Sequence, residues 1–300
     1  MSKFLKISIL VFAVCFAVAC EQAPQSDAGL SAETDANLQA TAETHANDVP
    51  EPTPVASTAP KREVITSRIA YGESGDRNLH GYLSVPADAT GSLPALIVIH
   101  EWWGLNDNIR DTAERLAAEG YITLAVDLYG EQVAETPKEA MKLMQNLTSN
   151  RDEGLANLEA AYRYLADAAN APKVGVIGWC LGGQWSLRTA LLLPDDIDAS
   201  VIYYGSLVTD KEQLKTLNMP ILGLFAGNDP IVPRESVEAF RSGLTELGKP
   251  ANIYVYEDAK HAFANPSGMS YDAEAAEDAW QKTLDFLAKN LEPESLIDQL

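Results

Sequence analysis

Three hundred residues, 46% of them hydrophobic, suffice to bury a large core, and a formal net charge of -21 argues against nucleic-acid binding and against peripheral attachment to anionic lipid. The charge says nothing about catalysis.

The chain opens with "MSKFLKISILVFAVCFAVAC": Lys3 and Lys6, an apolar run, then small residues before Cys20. This is the layout of a secretory signal peptide over residues 1–20, too short and wrongly flanked for a spanning helix. Ala17-Val18-Ala19-Cys20 resembles the bacterial lipoprotein cleavage box, with Ala17 where Leu is usual. On that reading Cys20 becomes the lipidated first residue of the mature chain. Glu21 then stands where an Asp would signal inner-membrane retention, so the expected place is the cell envelope, anchored to the outer membrane. Plain secretion and an uncleaved anchor are the alternatives. Residues 21–62 are rich in Ala, Thr, Pro and acids and cannot offset their own ordering entropy, so a disordered tether is expected, with His45 inert inside it.

From residue 63 the pattern changes. "EVITSRIAY", "LHGYLSVP", "ALIVIH", "YITLAVDL", "KVGVIGW", "ASVIYYG", "PILGLFAG" and "NIYVYED" are short, β-branched and bounded by turns, and read as strands. Helical periodicity falls at 107–119, 137–147, 151–168, 181–193, 233–247 and 272–289. A hairpin followed by strand–helix alternation predicts a single α/β domain over 63–291, with a mainly parallel central sheet, helices on both faces, and a tail at 292–300. A domain of this build completes its own core, so a monomer is expected.

Ligands of open α/β sheets sit beyond the carboxyl ends of the strands. At those positions stand His100-Glu101-Trp102-Trp103, Asp127, Cys180, Asp229 and His261. Gly178-Trp179-Cys180-Leu181-Gly182 is G-x-C-x-G at a strand-to-helix turn, a nucleophile elbow with Cys in place of Ser. With Cys15 in the signal peptide and Cys20 lipidated, Cys180 is the one thiol left, at a helix start that favours a thiolate. The competing reading makes both glycines packing residues and Cys180 a small core residue. The order Cys180, Asp229, His261 is the chain order of α/β-hydrolase triads, with His261 as base and Asp229 orienting it. Asp258 is a rival orienting acid. Oxyanion donors are expected from the backbone N–H groups of Leu181 and Trp102. "HEWWG" lacks the second His of a zincin helix, so no metal is assigned to it. Trp102 and Trp103 fit either a pocket wall and lid or the core. His80 is read as a surface residue on an edge strand, His100 as packing under the oxyanion loop, and Asp127 as fixing a strand-end turn.

Taken together, "HEWWGLN", "DLYG", "GWCLGG", "GNDP", "HAF" and "TLDFL" occur in the order found in the dienelactone hydrolase family of α/β-hydrolases, which the chain resembles from about residue 63 to 291. The resemblance implies a hydrolase of small esters or lactones using a Cys180-Asp229-His261 triad and an acyl-enzyme, with Glu101 beside the thiol keeping it poised. It implies no metal or organic cofactor. Carboxymethylenebutenolidase activity, the family's founding reaction, acts on an anionic lactone held by two arginines. Glu131 and Asn265 stand where those arginines are expected, which leaves the fold and machinery but not that substrate; a carboxylesterase of uncharged small esters and a non-catalytic envelope lipoprotein are the alternatives.

Overall fold

The β-branched runs assemble into one eight-stranded sheet. β1 (Val64–Ser74) and β2 (Arg77–Pro86) form the expected antiparallel hairpin, followed by β3 (Ala95–Ile99), β4 (Ile122–Val126), β5 (Val174–Trp179), β6 (Ala199–Tyr203), β7 (Ile221–Asn228) and β8 (Ala251–Lys260). The strand order is β1-β2-β4-β3-β5-β6-β7-β8; β2 runs antiparallel to β4 and every later pairing is parallel. The structure is a computed structural model and describes residues 39–48, 61–75 and 77–291, all within the compact unit Asn37–Leu300. The signal peptide of 1–20, lipidation at Cys20, the rest of the tether and the tail at 292–300 lie outside the described residues.

The helices are α1 (residues 39–44), α2 (Asp107–Ala118), α3 (Pro137–Ser149), α4 (Arg151–Arg163), α5 (Leu181–Leu192), α6 (Lys211–Leu214), α7 (Arg234–Glu246) and α8 (Ala273–Leu291). Their starts follow local chemistry. The Asn106 side chain accepts from Ile109 N to cap α2, and Thr136 caps α3 with Pro137 at its first turn. None of the described helices is long and apolar enough to cross a membrane.

Alternate side chains of β3 divide the core between the two faces of the sheet. Ile97 and Ile99 pack with Leu143, Leu158, Trp185 and Phe240 from α3, α4, α5 and α7. Leu96 and Val98 pack with Leu116, Phe286 and Leu287 from α2 and α8. Helices therefore cover both faces. β3 has β4 on one side and β5 on the other, so the chain reverses its winding direction there and opens a crevice at the carboxyl ends.

Two expectations need correction. β2 is covered by β1 and is not an edge strand, so His80 is only partly exposed, with Nδ1 3.7 Å from Glu131 Oε1. Residues 39–48, expected to be unstructured and His45 inert, instead form α1 and a turn whose Thr41, His45 and Asp48 are buried. The segment has almost no large apolar side chains of its own. Its order comes from docking onto the domain, where the His45 ring packs on Trp102 at 4.8 Å between centroids and Met269 N donates to Asp48 Oδ1 at 3.4 Å.

Candidate active site

The elbow between β5 and α5 is as tight as its glycines suggest. A Cβ on Gly178 would lie 2.2 Å from Gly182 O, and one on Gly182 would lie 2.2 Å from Ile99 O. Both contacts are with backbone, so no side-chain shift could relieve them. Cys180 between them has φ 54° and ψ -115°, a conformation that costs a non-glycine residue about 1–3 kcal/mol and persists where the surroundings enforce it. Here Cys180 N donates to Tyr203 O at 3.0 Å, and Gln184 N donates to Cys180 O at 3.1 Å. Those bonds hold the thiol at the end of β5 and the start of α5.

Two other strand ends deliver the partners. His261 follows β8 and sets Nε2 3.2 Å from Cys180 Sγ; Asp229 follows β7 and sets Oδ2 2.7 Å from His261 Nδ1. Asp229 is itself fixed, its Oδ1 accepting from Ile231 N at 2.8 Å and Val232 N at 3.0 Å. Asp258, the rival acid, is exposed. Burial opposes ionisation of Cys180, but the charge and hydrogen bond of His261, with help from His45, bring its pKa down from 9.0 to about 6. Burial likewise opposes protonation of His261, and the Asp229 and Cys180 charges outweigh it, raising its pKa well above the usual imidazole value. The arrangement favours a thiolate–imidazolium pair, and through it an imidazole can take a proton from the thiol and return it elsewhere.

Glu101, two residues beyond β3, is buried beside this pair. Desolvation first, and then the Cys180 charge, raise its pKa to about 8, so it carries a proton at neutral pH. Asn265 Nδ2 donates to Glu101 Oε2 at 2.5 Å, while Asn265 Oδ1 accepts from Ser267 N at 2.9 Å. The sequence singles out Asn265 only for not being arginine; its part in holding Glu101 has no local signature. Trp102 and Trp103 are 1% and 2% exposed, and their rings meet at 4.8 Å, with Trp102 forming a wall against His45. Leu181 is the first residue of α5 and Trp102 directly follows Glu101, so the two expected donor positions stand just beyond the ends of β5 and β3.

His45 is the site residue that sequence reasoning missed. It is 3% exposed, its ring lies 5.5 Å from that of His261, and its Nδ1 is 2.6 Å from Asp48 Oδ2. Burial disfavours its charge, but Asp48 and Cys180 overcome this and raise its pKa to about 9. The available signal was "HAND", a histidine with a carboxylate three residues on.

His100 and Asp127 have the structural parts expected of them. His100 is buried, with Nδ1 2.6 Å from Glu101 O and Nε2 accepting from Leu128 N at 3.1 Å; Asp127 accepts from Tyr129 N at 2.8 Å and from Glu131 N. Glu131 receives Arg68 in an ion pair, and both line a cavity of about 410 Å³ with His80, Arg110 and Asp127. Tyr129 OH is buried without a partner, and burial together with the nearby thiolate keeps it protonated.

The family model of the dienelactone hydrolase family matches residues 79–291. A protein of Escherichia coli strain K12, provisionally assigned as a carboxymethylenebutenolidase, is 32% identical over 255 residues, spanning 79% of this chain and 93% of that one. Protein usf of Aquifex pyrophilus is 34% identical over 226 residues, 73% of this chain and 96% of that one. A crystal structure of a provisionally assigned dienelactone hydrolase from Klebsiella pneumoniae superposes with a TM-score of 0.69 at 32% identity, covering 76% of this chain and all of that one.

Proposed function

The chain belongs to the dienelactone hydrolase family, hydrolases of ester and lactone bonds, and from that premise we propose that it cleaves small, uncharged esters or lactones through an acyl-enzyme on Cys180. The observation that carries the reading is the unbroken line of contacts from Cys180 Sγ through His261 to Asp229, at 3.2 and 2.7 Å. The Cys180 thiolate attacks the carbonyl carbon, and the Leu181 and Trp102 N–H groups receive the developing oxyanion. Collapse breaks the acyl–oxygen bond, and the His261 imidazolium gives its proton to the leaving alkoxide. In a lactone the leaving group stays attached through the acyl chain. Water then attacks the thioester with His261 as base, the carboxylate leaves, and the thiol is restored. Asp229 holds the Nδ1 proton in place and steadies the imidazolium. Protonated Glu101, held by Asn265, lines the site without competing for the imidazolium.

Support for an uncharged substrate comes from two positions. Glu131 carries negative charge and already engages Arg68, and Asn265 is committed to Glu101. Neither offers the planar cationic fork that grips a carboxylate. Tyr129 OH, buried and unpaired, offers a hydrogen bond with no formal charge. The test is the ratio of kcat/KM for a neutral lactone and a carboxylate-bearing one of the same ring. A ratio of at least ten in favour of the neutral lactone is expected; preference for the anion would overturn the assignment.

We also propose that residues 1–20 direct export and that Cys20 carries the lipid, placing the domain in the cell envelope. The signal-like layout of "MSKFLKISILVFAVCFAVAC" supports this, and globomycin-sensitive processing of the chain would test it.

A further inference from the structure

Cys180 is approached by two imidazoles, and both are held in the same way. His261 Nδ1 is tied to Asp229 Oδ2 at 2.7 Å, and His45 Nδ1 to Asp48 Oδ2 at 2.6 Å. A carboxylate at Nδ1 keeps the neutral ring in the tautomer whose Nε2 lone pair points away from it, the arrangement in which metal-binding histidines are oriented. His261 Nε2 stands 3.2 Å from Cys180 Sγ. His45 Nε2 faces the same thiol yet makes no hydrogen bond, in a residue that is only 3% exposed. An unmet polar atom at that depth is destabilising unless something occupies it. One ligand atom from each of His45, Cys180 and His261 lies within 4.8 Å of the others.

We propose that His45, Cys180 and His261 form a three-ligand site for a thiophilic divalent ion, Zn²⁺ being the best match, and that occupation silences the hydrolase. The donor set selects the ion: one thiolate and two imidazoles suit zinc, whereas magnesium and calcium require oxygen. A tetrahedral zinc centre places sulfur and nitrogen ligands about 3.3–3.6 Å apart, given Zn–S near 2.3 Å and Zn–N near 2.0–2.1 Å. The Cys180–His261 separation nearly has this value already. Any wider separation in the trio is at most 4.8 Å and closes by no more than about 1.5 Å through movement of the short 39–48 segment, leaving the fourth position for water. Asp48 and Asp229, bonded to the two Nδ1 atoms, fix the orientation of the imidazoles.

The consequence for activity follows from which electrons the ion uses. It takes the thiolate lone pair and both Nε2 lone pairs, and the protons those nitrogens carried pass to solvent. Attack on a carbonyl needs the same thiolate and the same His261 nitrogen, so bound metal and bound substrate exclude one another. That consequence rests on Cys180 being the nucleophile; the site itself does not. His45 lies outside the matched family region of residues 79–291, so this chain adds the third ligand from its own amino-terminal segment.

The experiment titrates the full chain with Co²⁺ as a spectroscopic probe and with Zn²⁺ as inhibitor, each variant's rate being normalised to its own rate in chelator. Thiolate-to-cobalt charge transfer and tetrahedral visible bands are expected in the wild type and absent in Cys180→Ser, which separates this site from Cys15 and Cys20. His45→Ala is expected to weaken Co²⁺ binding and Zn²⁺ inhibition at least tenfold, and Asp48→Asn to weaken both about 10-fold or more by loosening the same ligand. If His45→Ala does not fold, Asp48→Asn carries the test alone. Equal metal affinity with and without the His45 and Asp48 side chains would overturn the proposal, as would the lack of a charge-transfer band or faster turnover with zinc bound. A wild type that shows the band but hydrolyses no ester would refute the functional reading and leave the metal site standing.

Discussion

Replacing His261 by Ala isolates what makes the thiol reactive. Cys180 is brought from 9.0 to about 6 although its burial pushes the other way, and His261 is the largest force opposing that burial. The difference corresponds to about 4 kcal/mol between the thiol and thiolate forms. At pH 7 a thiol of pKa 9.0 is about 1% ionised and one of about 6 is about 90% ionised, so the site raises the thiolate population by about 90-fold. A depressed thiol pKa gives reactivity that is present above it and lost as pH falls through about 6. The assay is the ultraviolet absorbance of the thiolate against pH, with Cys180→Ser subtracted, paired with the rate of iodoacetamide alkylation at Cys180. The wild-type curve should turn near pH 6. In His261→Ala it should turn above pH 8, with at least about tenfold less thiolate at pH 7, part of the depression surviving through His45. A wild-type inflection at pH 8 or above, or one that His261→Ala leaves in place, would refute the electrostatic account.

Asp229→Asn keeps the shape but removes the charge that steadies His261, and kcat should fall by about 10²–10⁴ with KM little changed, measured by steady-state ester hydrolysis. Gly178→Ala drives a Cβ into Gly182 backbone at 2.2 Å; thermal unfolding should show a loss of about 3 kcal/mol or more, whereas Gly248→Ala, whose Cβ meets nothing within 4 Å, should lose only the smaller cost of its positive φ. Asn265→Ala leaves the Glu101 carboxyl without its buried donor, at about 1–3 kcal/mol, and should lower kcat alongside the melting temperature.

The strand ends were legible because the buried parallel strands are apolar runs and polar residues follow them. Glu101, Cys180, Asp229 and His261 stand just after β3, β5, β7 and β8 and so share one rim of the sheet. The Gly178 and Gly182 pair added the elbow, since the backbone contacts at 2.2 Å leave no room for another residue. Residues 39–48 were not legible for the opposite reason. Their composition is that of a disordered segment, and they are ordered by what they dock against, through His45 on Trp102 and Asp48 near Met269. No periodicity reports a contact between residue 45 and residue 180. Asn265 was obscured in a similar way, its hydrogen bond to Glu101 crossing 164 residues of chain. His80 was placed on an edge because the sequence does not reveal that β1 precedes β2 on the outside of the sheet.

Intact-mass spectrometry of the chain quenched in acid during turnover of a p-nitrophenyl ester bears most directly on the central claim. The account predicts a burst of p-nitrophenolate and one added acyl group, mapped by peptide digestion to Cys180, with both absent in Cys180→Ala. Hydrolysis by Cys180→Ala at the wild-type rate, or an acyl group mapped to another residue, would contradict it.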